Sequence, residues 1–178
     1  RKDLETRGSS FTTTSDTEVL VRALGRDGWG ALDRCEGMWA FAVYDEADGS
    51  MGLCRDRFGE KPLYLLRDDT GLYFGSEVKF IRALLGRPLE VHYEHLYRYM
   101  IYGYRSLYKH GDTFFRNLRE LPPATLLTLG PGGMHEEIYW RPAYTPEEGM
   151  TYEEAVAGVR ERLIRSVELR LRADVPLA

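Results

Sequence analysis

The chain has 178 residues, 43% of them hydrophobic, which is enough to bury a core and too many for a disordered tail. Its formal net charge of -4 comes without a basic stripe, so nucleic acid is not an expected partner. No apolar run reaches the ~20 residues of a membrane span, and the charged opening Arg1-Lys2-Asp3-Leu4-Glu5 cannot be the apolar centre of a signal peptide; a cytoplasmic protein with no membrane contact is expected.

Ser15, with Glu18 three residues on, is a capping-box signature. Val19, Leu20, Ala23 and Leu24 continue it as a short amphipathic helix that stops between Gly25 and Gly30. Seven apolar residues from Met38 to Tyr44 predict a strand buried on both faces. Further strands are predicted at 51–54, 62–66 and 72–75, separated by Asp/Gly turns, and a helix at 78–85 closed by Gly86 and Pro88. An aromatic-rich helix follows at 93–102, then a short strand at 126–129, which Gly130-Pro131-Gly132-Gly133 turns toward Ile138-Tyr139-Trp140 as a hairpin. The two prolines of 141–149 mark a linker. Behind a second capping box, Thr151 with Glu154, the residues Val156, Val159, Leu163, Val167 and Leu171 line one face of a long helix leading into an apolar strand from Val175. Helix, antiparallel strands and helix in that order predict an α+β fold. The opening Arg-Lys and the strand begun at Val175 are expected to belong to a longer chain.

Each candidate chemical residue has a structural reading beside the functional one. Asp16, just ahead of a helix, caps it or accepts charge-assisted bonds from an ammonium group. Glu18 braces the helix start. Arg55, Asp56, Arg57 and Lys61 carry mixed signs, which suits a salt-bridge network holding a turn better than a polyanion site. Ser76 with Lys79 could be a nucleophile and base, but Ser76 ahead of a helix reads more simply as its cap, with Glu77 at the positive helix end. Cys35 and Cys54 read as buried, inert thiols. His92 and His95 lie one helical turn apart with no third ligand to complete a metal set.

Together, Ser15-Asp16-Thr17-Glu18, the run Gly37-Met38-Trp39-Ala40-Phe41-Ala42-Val43-Tyr44-Asp45 and the segment Arg55-Asp56-Arg57-Phe58-Gly59-Glu60-Lys61-Pro62-Leu63-Tyr64 resemble the glutamine-hydrolysing asparagine synthetases. Gly75 to Lys79, residues 113–128, Tyr139-Trp140 and the helix into Ala173 to Ala178 extend the likeness over nearly the whole chain. The resemblance implies part of an N-terminal-nucleophile glutaminase αββα sandwich at 1–89, a connecting segment at 90–149, and the start of an α/β nucleotide-binding synthetase domain at 150–178. It implies that Asp16 holds substrate glutamine by its α-amino end. In that family the glutaminase releases ammonia, and the synthetase activates aspartate with Mg-ATP as an aspartyl-adenylate that ammonia attacks. The family's N-terminal cysteine nucleophile and Asn-Gly oxyanion pair have no counterpart here, and its pyrophosphate loop would follow Ala178. No catalytic, cofactor-binding or metal residue is therefore assigned in this chain, and the segment alone is expected to be inactive. ATP and Mg2+ belong to the parent enzyme, with glutamine and aspartate as its other small molecules and a homodimer as its assembly. Relatives acting on β-lactam, sugar or peptide acceptors, and a non-catalytic scaffold supported by the aromatic segment 93–108, are the alternatives.

Overall fold

The computed structural model describes residues 1–103 and 111–171, and its chain divides into two units, Arg1–Glu36 and Gly37–Ala178. In the first unit, helix α1 (Lys2–Thr6) precedes α2 (Asp16–Asp27). Gly28, at φ 58, ends α2 by donating its N–H to the Leu24 carbonyl, a left-handed turn that a Cβ would disfavour. A 3-10 run, Gly28–Arg34, follows and buries Ala31 and Leu32. Asp27 ties the unit together. It takes two bonds from the Arg7 guanidinium, at 2.9 and 2.7 Å, and pairs with Arg34, while Arg26 donates to the Arg7 carbonyl at 2.6 Å.

The second unit is built on two antiparallel sheets. Strands β1 (Ala40–Tyr44), β2 (Met51–Arg55), β6 (Thr125–Gly130) and β7 (Gly133–Ile138) form one, in the order β1-β2-β6-β7. Strands β3 (Tyr64–Asp68), β4 (Gly71–Gly75) and β5 (Leu118–Glu120) form the other, in the order β4-β3-β5. Leu53 and Leu127 of the first sheet meet Leu63, Leu65 and Leu121 at the second in one buried cluster. Because successive side chains of a strand point to opposite faces, Leu66 next to Leu65 faces away from that cluster. There it packs with Leu118 and with Ile81 of helix α3 (Val78–Leu85). Each such leucine or isoleucine contributes about 1.5–3 kcal/mol through burial.

Three expectations change. The apolar run at 38–44 holds β1, an edge strand paired on one side only among the described residues, and Ala42 and Tyr44 are exposed; the strand buried on both faces is β2, where Gly52, Leu53, Cys54 and Arg55 are all covered. Residues 90–149 are more than a connector, because β5, β6 and β7 complete both sheets and β6 lies between β2 and β7. The long helix α5 (Tyr152–Arg170) forms behind a true capping box, Thr151 N–H to Glu154 at 2.9 Å and Glu154 N–H to Thr151 at 3.3 Å, but its stripe Val156, Val159, Leu163 and Val167 is exposed. Helices α3 and α4 (Tyr93–Tyr102) occupy the predicted residues, and Gly130 pairs with Gly133 across the predicted hairpin. The strand expected from Val175, and residues 104–108 of the aromatic segment, lie outside the described residues.

Candidate functional site

The start of α2 is held by two separate devices. Ser15, in extended conformation, accepts the Thr17 N–H on its hydroxyl at 3.2 Å and so caps the helix. Glu18 does not complete a capping box with Ser15. Its carboxylate reaches back to the loop before the cap and accepts the Thr12 and Thr13 N–H groups at 3.0 and 2.7 Å, together with their hydroxyls at 3.1 and 2.6 Å. The Thr13 hydroxyl, then the backbone donors of Thr12 and Thr13, hold the Glu18 carboxyl down at about 2. The loop is thereby fixed against the first turn, and Asp16, at the first helical position, is exposed and takes no part in the cap. A carboxylate presented there can receive an ammonium group through charge-assisted hydrogen bonds.

The second cluster is the turn after β2. Asp56 is fully buried, and its two oxygens accept four backbone N–H groups: Phe58 and Glu60 at 3.0 Å each on Oδ1, Lys61 at 2.9 Å and Trp39 at 3.3 Å on Oδ2. Burial pushes this carboxyl up, but the four donors outweigh it and leave it below the ordinary range. Arg55, also buried, donates to the carbonyls of Lys61, Leu121 and Gly59 at 2.8, 2.6 and 2.7 Å and to Glu120 at 2.8 Å. The expected salt-bridge network is thus mainly side chain to backbone: Arg55–Glu120 is its buried ion pair, and Lys61 is exposed. The Tyr139 hydroxyl donates to the Arg55 carbonyl at 2.9 Å, Arg57 lies 5.5 Å over the Trp140 ring, and Phe58 meets that ring edge-on at 5.4 Å. Glu60 accepts two bonds from Arg170 at 3.1 Å, so α5 is tied to the same turn. These distant partners leave no local trace in the sequence.

The remaining candidates are structural. The N-cap of α3 is Glu77, without a side-chain cap bond, and it pairs with Lys79 at 2.6 Å, so Ser76 is neither cap nor partner of that lysine. Cys54 is buried and its sulfur accepts the Trp39 indole N–H at 3.4 Å; Cys35 is half-buried, its thiol directed at the Ala31 carbonyl. The His92 and His95 rings stack 6.0 Å apart, and among the described residues no three His, Cys, Asp or Glu side chains are placed to hold a metal ion.

Residues 1–140 match the glutamine amidotransferase domain family. The chain belongs to that family. Asparagine synthetase [glutamine-hydrolyzing] 3 of Bacillus subtilis (strain 168) is 32% identical over 178 residues, covering 99% of this chain and 28% of that protein. Amidase chyE of Penicillium rubens is 30% identical over 172 residues, covering 94% of this chain and 25% of that protein. The chain therefore spans about a quarter of the length of these curated relatives. Glutamine phosphoribosylpyrophosphate amidotransferase from B. subtilis, solved with ADP and GMP, aligns with a TM-score of 0.53 at 23% identity, over 78% of this chain and 26% of that one. That likeness is one of fold, and it makes the facing sheets of this glutamine amidotransferase domain the amidotransferase architecture. Among the described residues no helix is long and apolar enough to cross a membrane.

Proposed function

We propose that this glutamine amidotransferase domain works within a cytoplasmic, glutamine-dependent asparagine synthetase, and that Asp16 binds the α-ammonium group of glutamine. The carrying observation is the presentation of Asp16: exposed at the first position of α2, with Ser15 and the Glu18 clasp fixing the backbone on both sides of it. A rigid carboxylate suits recognition of an amino acid because the ion pair forms without ordering the loop afterwards. The released nitrogen would go to aspartate in an ATP- and Mg2+-dependent ligation. In this reading ATP and Mg2+ belong to the synthetase part of the parent enzyme.

The test uses the full-length protein with Asp16→Asn. The expected result is a fall of about 10- to 100-fold in kcat/KM for glutamine, the loss of one charged hydrogen bond, with ammonia-dependent synthesis unchanged. Equal kcat/KM for glutamine in the two proteins would remove Asp16 from the site. A second reading keeps the same glutamine chemistry and changes the acceptor. Product analysis with aspartate as the offered acceptor separates the two.

A further inference from the structure

Helix α4 lies against the segment ahead of β5, and its one buried side chain is His95. The chain entering the helix pairs with that segment: Arg116 N–H donates to the Glu90 carbonyl at 2.8 Å and His92 N–H to the Phe114 carbonyl at 2.9 Å. From the helix, His95 packs edge-on against Phe114 at 5.1 Å and Tyr99 does the same at 5.4 Å, while Tyr93, Tyr97, Met100, Ile101 and Tyr102 point into solvent. The anchor is therefore an imidazole, only 1% exposed, and its Nδ1 has no hydrogen-bond partner among the described residues. A neutral ring tolerates that position. A protonated ring would place a charged N–H where the described residues offer no acceptor, which is far more costly.

We propose that His95 is a pH-responsive latch: α4 stays docked on residues 111–116 while the imidazole is neutral, and is released when the ring takes up a proton from solvent. The surroundings have the right sign. Burial comes first in holding the ring below its ordinary value, and Arg98 adds to it, as does His92 at the helix N-cap. Asp112, from the facing segment, opposes them, but it is engaged by Arg98 at 3.3 Å, and Glu94 on the helix lies against the same arginine at 3.5 Å. Since the docked form binds the proton less readily than the released form, docking is complete above the ordinary value near about 6.5 and fails as pH falls through the docked value.

The test is hydrogen exchange of the α4 amides in the full chain between about pH 7 and about pH 5, corrected for intrinsic rates, with the His95 Cε1–H shift followed by NMR. The expected result is loss of protection at Leu96 to Tyr102 on acidification, about tenfold for each unit separating docked and released values, while β2 and β6 amides stay protected. His95→Phe, which keeps an edge-on ring and cannot titrate, should abolish the dependence, and His92→Asn should preserve it. Should the Phe variant fail to fold, the wild-type titration decides: His95 titrating at or above the ordinary value overturns the latch. So does pH-independent protection in the wild type, or an unchanged dependence in His95→Phe.

Discussion

Asp56→Asn isolates what the buried carboxylate of the β2 turn contributes. The substitution keeps one oxygen, which can still accept Phe58 and Glu60 N–H, and sets an amide NH2 against the N–H groups of Lys61 and Trp39. Two backbone donors lose their acceptor in a buried site at about 1–3 kcal/mol each, so the loss is about 2–6 kcal/mol. At about 2–4 °C per kcal/mol for a chain of this size, the midpoint falls by at least about 4 °C. Asp56→Ala, which removes all four acceptor contacts, should fall further. Thermal unfolding followed by near-UV circular dichroism is suited to this, since Trp39 and Trp140 flank the turn. The pH dependence adds a second arm. The folded carboxyl lies below the unfolded one, so its stabilisation is complete above about 3.9 and is lost as pH falls through the folded value. The gap between wild type and Asp56→Asn should be flat from neutral pH to about pH 4 and close below it. An Asn variant melting within about 1 °C of wild type would refute the account of the turn.

Gly59→Ala should cost about 2–4 kcal/mol in urea unfolding, because Gly59 sits at φ 67 and a Cβ there would come within 2.9 Å of Pro123 Cγ and 3.1 Å of the Arg55 guanidinium. Ala124 shows the opposite case: at φ 53 the relief of left-handed strain offsets lost methyl burial and glycine entropy, so Ala124→Gly should stay within about 0.5 kcal/mol of wild type. Ala83→Gly, in the exposed surface of α3, should lose about 1 kcal/mol and serves as the comparison. Carbon-13 titration of the Glu18 carboxyl should give a midpoint at about 2. The loop it holds gains stability above the ordinary carboxyl value and loses it as pH approaches 2, and a midpoint of 4 or higher would mean the threonine clasp is absent in solution.

Helix boundaries were the most legible part of the fold, because terminators are local. Gly86 in left-handed conformation ends α3, Gly103 ends α4, and Thr151 with Glu154 starts α5. Strand environment was less legible: an apolar run looks the same on an edge as in a centre, so β1 was expected to be covered on both faces. Strand β5, Leu118-Arg119-Glu120, is too short to show alternation, and β7 is exposed along its length, so neither carries an apolar rhythm. At the sites, residue types announce charge but not partner. Asp56 beside arginines suggested ion pairs, whereas its partners are backbone N–H groups, which every non-proline residue carries. Glu18 similarly bypassed Ser15 for Thr12 and Thr13, a choice made by loop geometry. Asp16 stood out only through the family motif around it.

The pairing of β2 with β6 also sets an order of events in biogenesis. Cys54 lies opposite Leu126, so the centre of the first sheet closes over roughly 70 residues of intervening chain. The β1–β2 hairpin can form from local contacts and pairs one edge of β2, but the other edge has no neighbour until β6 arrives, and Leu53 lacks Leu121 and Leu127 of its cluster until then. At about 5–20 residues per second, translation needs roughly 4–14 s to supply β6. During that interval a nascent chain displays an unpaired, apolar strand edge, the feature that chaperones shield from aggregation.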